Sequence, residues 1–109
     1  MDIKLELVAI PVTDIDRAKG FYVRVGFNAD HDHTVNENLR FVQLTPPGSA
    51  CSICIGKSVT DAQPRSVTGM QVVVADIEEA EREFKSRGID ISPIDRQPWG
   101  NFSDPDGNK

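Results

Sequence analysis

A chain of 109 residues is the size of one domain, long enough to bury roughly two-thirds of its unfolded surface around a single core. Hydrophobic residues at 39% and charged residues at 27% describe a folded globule rather than a disordered segment. A net charge of −5 with no cluster of Lys and Arg argues against a nucleic-acid partner, because phosphate binding draws on concentrated positive charge. No apolar run reaches the roughly 20 residues needed to span a bilayer. Met1-Asp2-Ile3-Lys4 leads into a strand-like segment without a cleavable apolar stretch, so the expected location is the cytoplasm.

Leu5 to Val12 is apolar almost throughout, the pattern of a strand covered on both faces. Asp14 then suits a helix N-cap, because a short carboxylate accepts hydrogen bonds from the free amides of the first turn. Ile15, Ala18, Tyr22 and Val25 recur at helical spacing, and Gly26 stands where a left-handed residue ends the helix. Three strands are expected next, over Phe27–His31, Leu39–Thr45 and Ala50–Gly56, with Pro46-Pro47-Gly48 as the turn between the last two. The polar stretch from His31 to Asn38 reads as an exposed loop. Residues 57–68, polar and containing Pro64, read as a linker.

Beyond the linker the chain repeats itself. Val12-Thr13-Asp14-Ile15-Asp16-Arg17-Ala18 matches Val74-Ala75-Asp76-Ile77-Glu78-Glu79-Ala80 at an offset of 62, and Tyr22, Gly26 and Phe27 fall on Phe84, Gly88 and Ile89. Thr45-Pro46-Pro47-Gly48 falls on Asp104-Pro105-Asp106-Gly107 at an offset of 59. The second copy therefore carries a strand over Met70–Val74, a helix capped by Asp76, and short strands near Asp90–Ile94 and Trp99–Ser103. Glu78–Arg82, Glu81–Lys85 and Glu83–Arg87 stand at i, i+4 with the acid first, the mark of a solvated helix face. By the repeat, a further strand should come after Gly107. Without it the preceding strand has an open edge, which leads us to expect closure by a second copy of the chain, a homodimer.

Cys51 and Cys54 form a CxxC inside a strand-like run. Residues three apart on a strand point to opposite faces, so two reduced thiols are expected rather than a metal or redox pair. Asp14, Asp76, Asp104 and Asp106 are accounted for by caps and turns. Neither histidine, His31 nor His33, lies near Ser52 or Cys54 in sequence, so no nucleophile and base are paired. His31 and His33 would share a face if they lay on a strand and would then be able to chelate; in a loop they are two solvated side chains.

Ile10-Pro11-Val12-Thr13-Asp14-Ile15-Asp16-Arg17-Ala18-Lys19-Gly20-Phe21-Tyr22 with Gly26-Phe27, and Phe102-Ser103-Asp104-Pro105-Asp106-Gly107-Asn108 near the end, resemble the opening and closing motifs of the glyoxalase/bleomycin-resistance/dioxygenase (vicinal oxygen chelate) superfamily. Leu44-Thr45-Pro46-Pro47-Gly48-Ser49 with Cys51-Ser52-Ile53 is similar to a bacterial branch called glyoxalase-like. The resemblance implies an α+β fold of two βαβββ modules, about 1–56 and 69–109, with the last strand of the second missing. It also implies that each sheet curves into a cup. The fold hosts lyases, isomerases, ring-cleaving dioxygenases, thiol transferases and drug-sequestering proteins, so it does not identify the function. In metal-dependent members the resemblance places a His seven residues before each capping Asp. Leu7 and Gly69 stand there in this chain, and neither offers a donor to a divalent ion.

If Leu7 and Gly69 mark the cup, alternation puts Leu5, Ala9, Pro11, Val73 and Ala75 there with them. Val8, Ile10, Val12, Met70, Val72 and Val74 then pack under the helices. The same alternation assigns Val42, Leu44, Cys51, Ile53 and Ile55 to the helix side. Phe41, Gln43, Ser52, Cys54 and Gln71 are left to line the cup, with Trp99 as a stacking wall near its mouth. A mostly apolar concavity with a few amides and hydroxyls suits a small uncharged or aromatic molecule. The leading expectation is a metal-free protein, without cofactor, that binds such a molecule. Two alternatives stand beside it: a lyase, isomerase or dioxygenase drawing a divalent metal from non-standard ligands, and a shortened relic without activity.

Overall fold

The computed structural model of the chain describes residues 1–67 and 70–90. Four strands and two helices come in the order β1 (Leu7–Ala9), α1 (Ile15–Val25), β2 (Asn28–Asn36), β3 (Leu39–Thr45), β4 (Ser52–Lys57) and α2 (Ile77–Ser86). The strands form one mixed sheet in the order β1-β4-β3-β2. β1 pairs with β4 in parallel, Leu7 opposite Ser52 and Ala9 opposite Cys54. β3 is antiparallel to both of its neighbours. The result is a small α+β domain.

Both helices begin as their sequences require. The Asp14 carboxylate accepts from the Arg17 amide at 3.0 Å. The Asp76 carboxylate accepts from the amides of Glu78 and Glu79 at 3.0 and 3.1 Å. They also end alike: the amide of Phe27 donates to the Tyr22 carbonyl, and that of Ile89 to the Phe84 carbonyl. Each closing glycine takes a positive φ, 128° at Gly26 and 75° at Gly88, which spares the steric cost a side chain would meet there. Two of the expected acid–base pairs on α2 form, Glu81 with Lys85 and Glu83 with Arg87.

The core lies between α1 and one face of the sheet. Ala18, Phe21, Tyr22 and Val25 from α1 meet Ile10, Val42, Leu44, Ile53 and Ile55, with Phe27 and Ile89 closing the end. The Phe21, Tyr22 and Phe27 rings pack edge-on and tilted at 5.3 Å spacings, geometries that suit aromatic quadrupoles. Phe84 and Met70 rest against this cluster from outside. The Arg87 guanidinium donates to the Val25 carbonyl at 2.7 Å, tying the end of α2 to the end of α1.

Three expectations are corrected. The stretch expected as a loop from His31 to Asn38 belongs mostly to β2, which runs to Asn36 and pairs with β3. Its polarity reflects a sheet edge, where charged and polar side chains discourage further pairing. The opening strand is short, and Leu5, Leu7 and Val8 are exposed rather than covered on both faces. No strand forms over Met70–Val74, and Val72, Val73 and Val74 are exposed instead of packed under helices. Apolar character gives a strand its inclination but not its partner. β1 draws its hydrogen bonds from β4, and among the described residues nothing plays that part for 70–74. The strands expected near 90–94 and 99–103, the turn at Asp104–Gly107, Gly69 and Trp99 lie outside the described residues.

Candidate functional site

Ladder partners on neighbouring strands project to the same side of a sheet. Gln43 is opposite Cys54 and Phe41 opposite Gly56, while β1 places Leu7 and Ala9 beside Ser52 and Cys54. Phe41, Gln43, Ser52 and Cys54 therefore gather on the face turned away from α1. The alternate residues Val42, Leu44, Ile53 and Ile55 are core. Gln71 is exposed and belongs to none of the four strands, so the sheet does not position it with the other four.

Four polar side chains on this face form a continuous chain. The Gln43 amide nitrogen donates to Ser52 Oγ at 3.2 Å, Ser52 Oγ lies 2.6 Å from Thr45 Oγ1, and Thr45 Oγ1 donates to an Asp30 carboxylate oxygen. Ser52 sits at its centre and is the one buried polar residue among those described, 6% exposed. Asp30 reaches Thr45 because β2 carries a bulge there. Ala29 pairs with Leu44 and His31 with Gln43, leaving Asp30 as the extra residue, and bulges re-aim side chains in this way.

His31 and His33 join the same face, opposite Gln43 and Phe41. Their rings stack at 5.7 Å between centroids with 24° between planes. Sequence reasoning missed both as members of the face, along with Thr45 and Asp30. The available signal was the alternation His31-Asp32-His33-Thr34, which has the period of a strand. Asp32 points the other way, to Arg40 at 2.9 Å and Lys19 of α1 at 2.8 Å, while Arg40 also reaches Asp16 at 2.9 Å. The Arg40 guanidinium, followed by the Lys19 ammonium, holds the Asp32 carboxyl well below the usual carboxylate range. These contacts brace α1 against the far edge of the sheet. A groove of about 450 Å³ beside them, lined by Val12, Asp14, Asp16, Arg40 and Lys57, has Asp14 committed to the helix cap, Asp16 and Arg40 to their ion pair, and Lys57 to the Glu37 carbonyl.

Burial pushes the Cys54 thiol pKa up, which disfavours the thiolate a nucleophile requires. Cys51 and Cys54 are both free thiols. Ser52 is bonded to an amide and a hydroxyl, neither of them a general base. At the position where the resemblance implies a metal ligand in metal-dependent relatives, Leu7 presents hydrocarbon beside Ala9 and Ser52. Among the described residues no three His, Cys, Asp or Glu side chains come together. The donors around Leu7 do not fit a divalent ion.

Comparison with protein families gives a match over residues 4–109 to the Glyoxalase/Bleomycin resistance protein/Dioxygenase superfamily. Among solved structures, the chain is similar to TnmS3, an antibiotic binding protein from Streptomyces sp. CB03234. The TM-score is 0.84 and the identity 31%, covering 99% of this chain and 93% of that one. A glyoxalase/bleomycin resistance protein from the same Streptomyces strain gives a TM-score of 0.81 at 30% identity, covering 96% and 95%. A member of the superfamily from Sphaerobacter thermophilus DSM 20745 gives 0.79 at 34%, covering 98% and 93%. Comparison with curated proteins gives no match. Among the described residues no helix is long and apolar enough to cross a membrane.

Proposed function

The chain belongs to the Glyoxalase/Bleomycin resistance protein/Dioxygenase superfamily, and from that premise we propose that it is a metal-free, cytoplasmic small-molecule-binding protein. It holds a largely apolar, planar ligand against the sheet face that carries Phe41, Gln43, His31 and His33. The observation that carries this reading is the make-up of that face. Two imidazole rings and a phenyl ring stand beside a buried hydrogen-bonded hydroxyl. Such a surface supplies stacking area and a few orienting polar groups, the usual composition of a ligand site. The similarity to an antibiotic binding protein at 31% identity supports the same class of ligand.

In this reading the two halves of the chain are related modules, and a second copy of the chain completes the cup. Support for the dimer comes from the apolar residues left exposed along β1 and over 72–74, namely Leu5, Leu7, Val8, Val72, Val73 and Val74. Large apolar side chains exposed in such number favour a surface that a partner covers.

The test is a thermal-shift titration of the EDTA-treated protein with a panel of planar aromatic antibiotics. A ligand at a hundred times its Kd adds ~2.7 kcal/mol, which raises Tm by roughly 11–16 °C for a chain of this length. Phe41→Ala should abolish most of the shift. A panel in which no compound moves Tm, or binding that requires added Zn, Ni, Fe or Mn, would overturn the proposal.

A further inference from the structure

The charged side chains of the four strands, Asp30, Asp32, Arg40 and Lys57, divide unequally between the two faces of the sheet. Asp32 is the ladder partner of the core residue Val42, which puts it on the α1 side, and Arg40 and Lys57 are partners of each other on that side. There the charges are met. Asp32 pairs with Arg40 and Lys19, and the Lys57 ammonium donates to the Glu37 carbonyl. Asp30 stands on the opposite, candidate face, where the bulge carries it to Thr45.

The partner of Asp30 is a neutral hydroxyl, which orients the carboxylate and leaves its charge in place. Among the described residues no Lys or Arg side chain pairs with it. Asp30 and His33 are three residues apart on β2, within about 10 Å of each other along the strand, so a fused ring system seated on the His31–His33 stack and Phe41 lies beside the carboxylate. Phe41 is half-buried and presents the negative face of its π system. The hydrogen-bonding groups of the face, the amide of Gln43 and the imidazole nitrogens, include both donors and acceptors and orient a ligand of any charge. The uncompensated charge is what discriminates.

We infer that this face prefers a planar aromatic cation to a neutral or anionic molecule of the same size. The inference rests on the ligand-binding reading of this face and adds the charge of the ligand to it. The Asp30 carboxylate and the Phe41 ring both attract positive charge, and neither gains from a neutral ring what it gains from a cation. An anion meets the carboxylate as a like charge. The net charge of −5 on the whole chain adds a longer-range attraction that salt screens, and the Asp30 contribution differs from it in being confined to one face.

Three fluorescent tricyclic probes of matched size test it: N-methylacridinium, a fixed cation, N-methylacridone, which is neutral, and anthracenecarboxylate, an anion. Fluorescence titration of the full chain at pH 8 and low ionic strength should show the cation binding about tenfold more tightly than the neutral probe, and the anion most weakly. Asp30→Asn keeps the shape and removes the charge, and should bring the cation-to-neutral ratio to within about threefold, the share left to the Phe41 ring. Asp32→Asn changes the net charge by the same amount on the other face, and should leave the ratio as it was. Salt at about 0.5 M should lower the ratio in the unaltered chain, a measurement that stands in if Asp30→Asn fails to fold. Equal binding of cation and neutral probe, tighter binding of the anion, or a ratio unmoved by salt or by Asp30→Asn would overturn the inference while leaving the binding face in place. So would an equal fall in Asp32→Asn, which would assign the preference to net charge. Absence of binding by all three probes would overturn both.

Discussion

Gly56→Ala should be among the most damaging conservative changes available to this chain. Gly56 is opposite Phe41 near the end of the β3–β4 ladder. A Cβ at this position would stand 2.0 Å from the Arg40 carbonyl oxygen, 3.0 Å from its carbonyl carbon and 3.1 Å from Val59 Cγ1. Non-bonded contacts are comfortable only from about 3.5 Å, so the obstructing backbone must retreat by more than ~1 Å. Two responses are open. The sheet can strain to admit the methyl group, at the ~1–3 kcal/mol typical of overpacking. Alternatively the end of the ladder can open at Arg40–Lys57 and Phe41–Gly56, at about 1 kcal/mol for each backbone hydrogen bond lost. The cheaper response sets the result, so a loss of ~2 kcal/mol is expected, equivalent to roughly 8–12 °C in Tm. Urea melts monitored by far-ultraviolet circular dichroism measure it directly. Opening of the ladder would also displace Phe41, so ligand binding should fall by more than the loss of stability predicts. A variant as stable as the parent would refute the close approach of β3 and β4 at Gly56.

The Asp32 ion pairs predict a definite pH dependence. Its carboxyl is held below the usual range by Arg40 and Lys19, so its contribution is present above the unfolded value near ~3.9 and is lost as pH falls through the lower folded value. Asp32→Asn should cost about 1 kcal/mol at pH 7 after solvent screening, and its deficit should shrink below about pH 4; a deficit unchanged from pH 7 to pH 2 would contradict this. The two thiols should differ in reactivity, since Cys54 is buried with a raised pKa and Cys51 is only half-buried. Labelling with a disulfide reagent at pH 8 should proceed at Cys51 first, with Cys54 at least about tenfold slower, and Cys51→Ser should remove the fast phase. Equal rates at both positions would mean that the face around Cys54 opens to solvent.

Features legible in the residues were those set by local forces. Asp14 and Asp76 cap their helices, and Gly26 and Gly88 close them, because the groups involved lie within four residues of one another and no distant contact is needed. Alternation along 41–44 and 52–55 sorted Val42, Leu44, Ile53 and Ile55 into the core, leaving Phe41, Gln43, Ser52 and Cys54 on the other face, since strand geometry forces successive side chains apart. Tertiary structure decided the rest. A polar stretch became β2 only because β3 lay alongside to pair with it, and that pairing brought His31 and His33 to the site. The apolar run at 70–74 formed no strand and left Val72, Val73 and Val74 exposed, although its composition resembles that of the opening strand. Asp30 reached Thr45 through a bulge, a mismatch between two strands that exists only once their register is set. Helix caps and side-chain alternation are properties of one segment, whereas a sheet's hydrogen bonds join segments distant in sequence, and no single segment encodes which partner it will find.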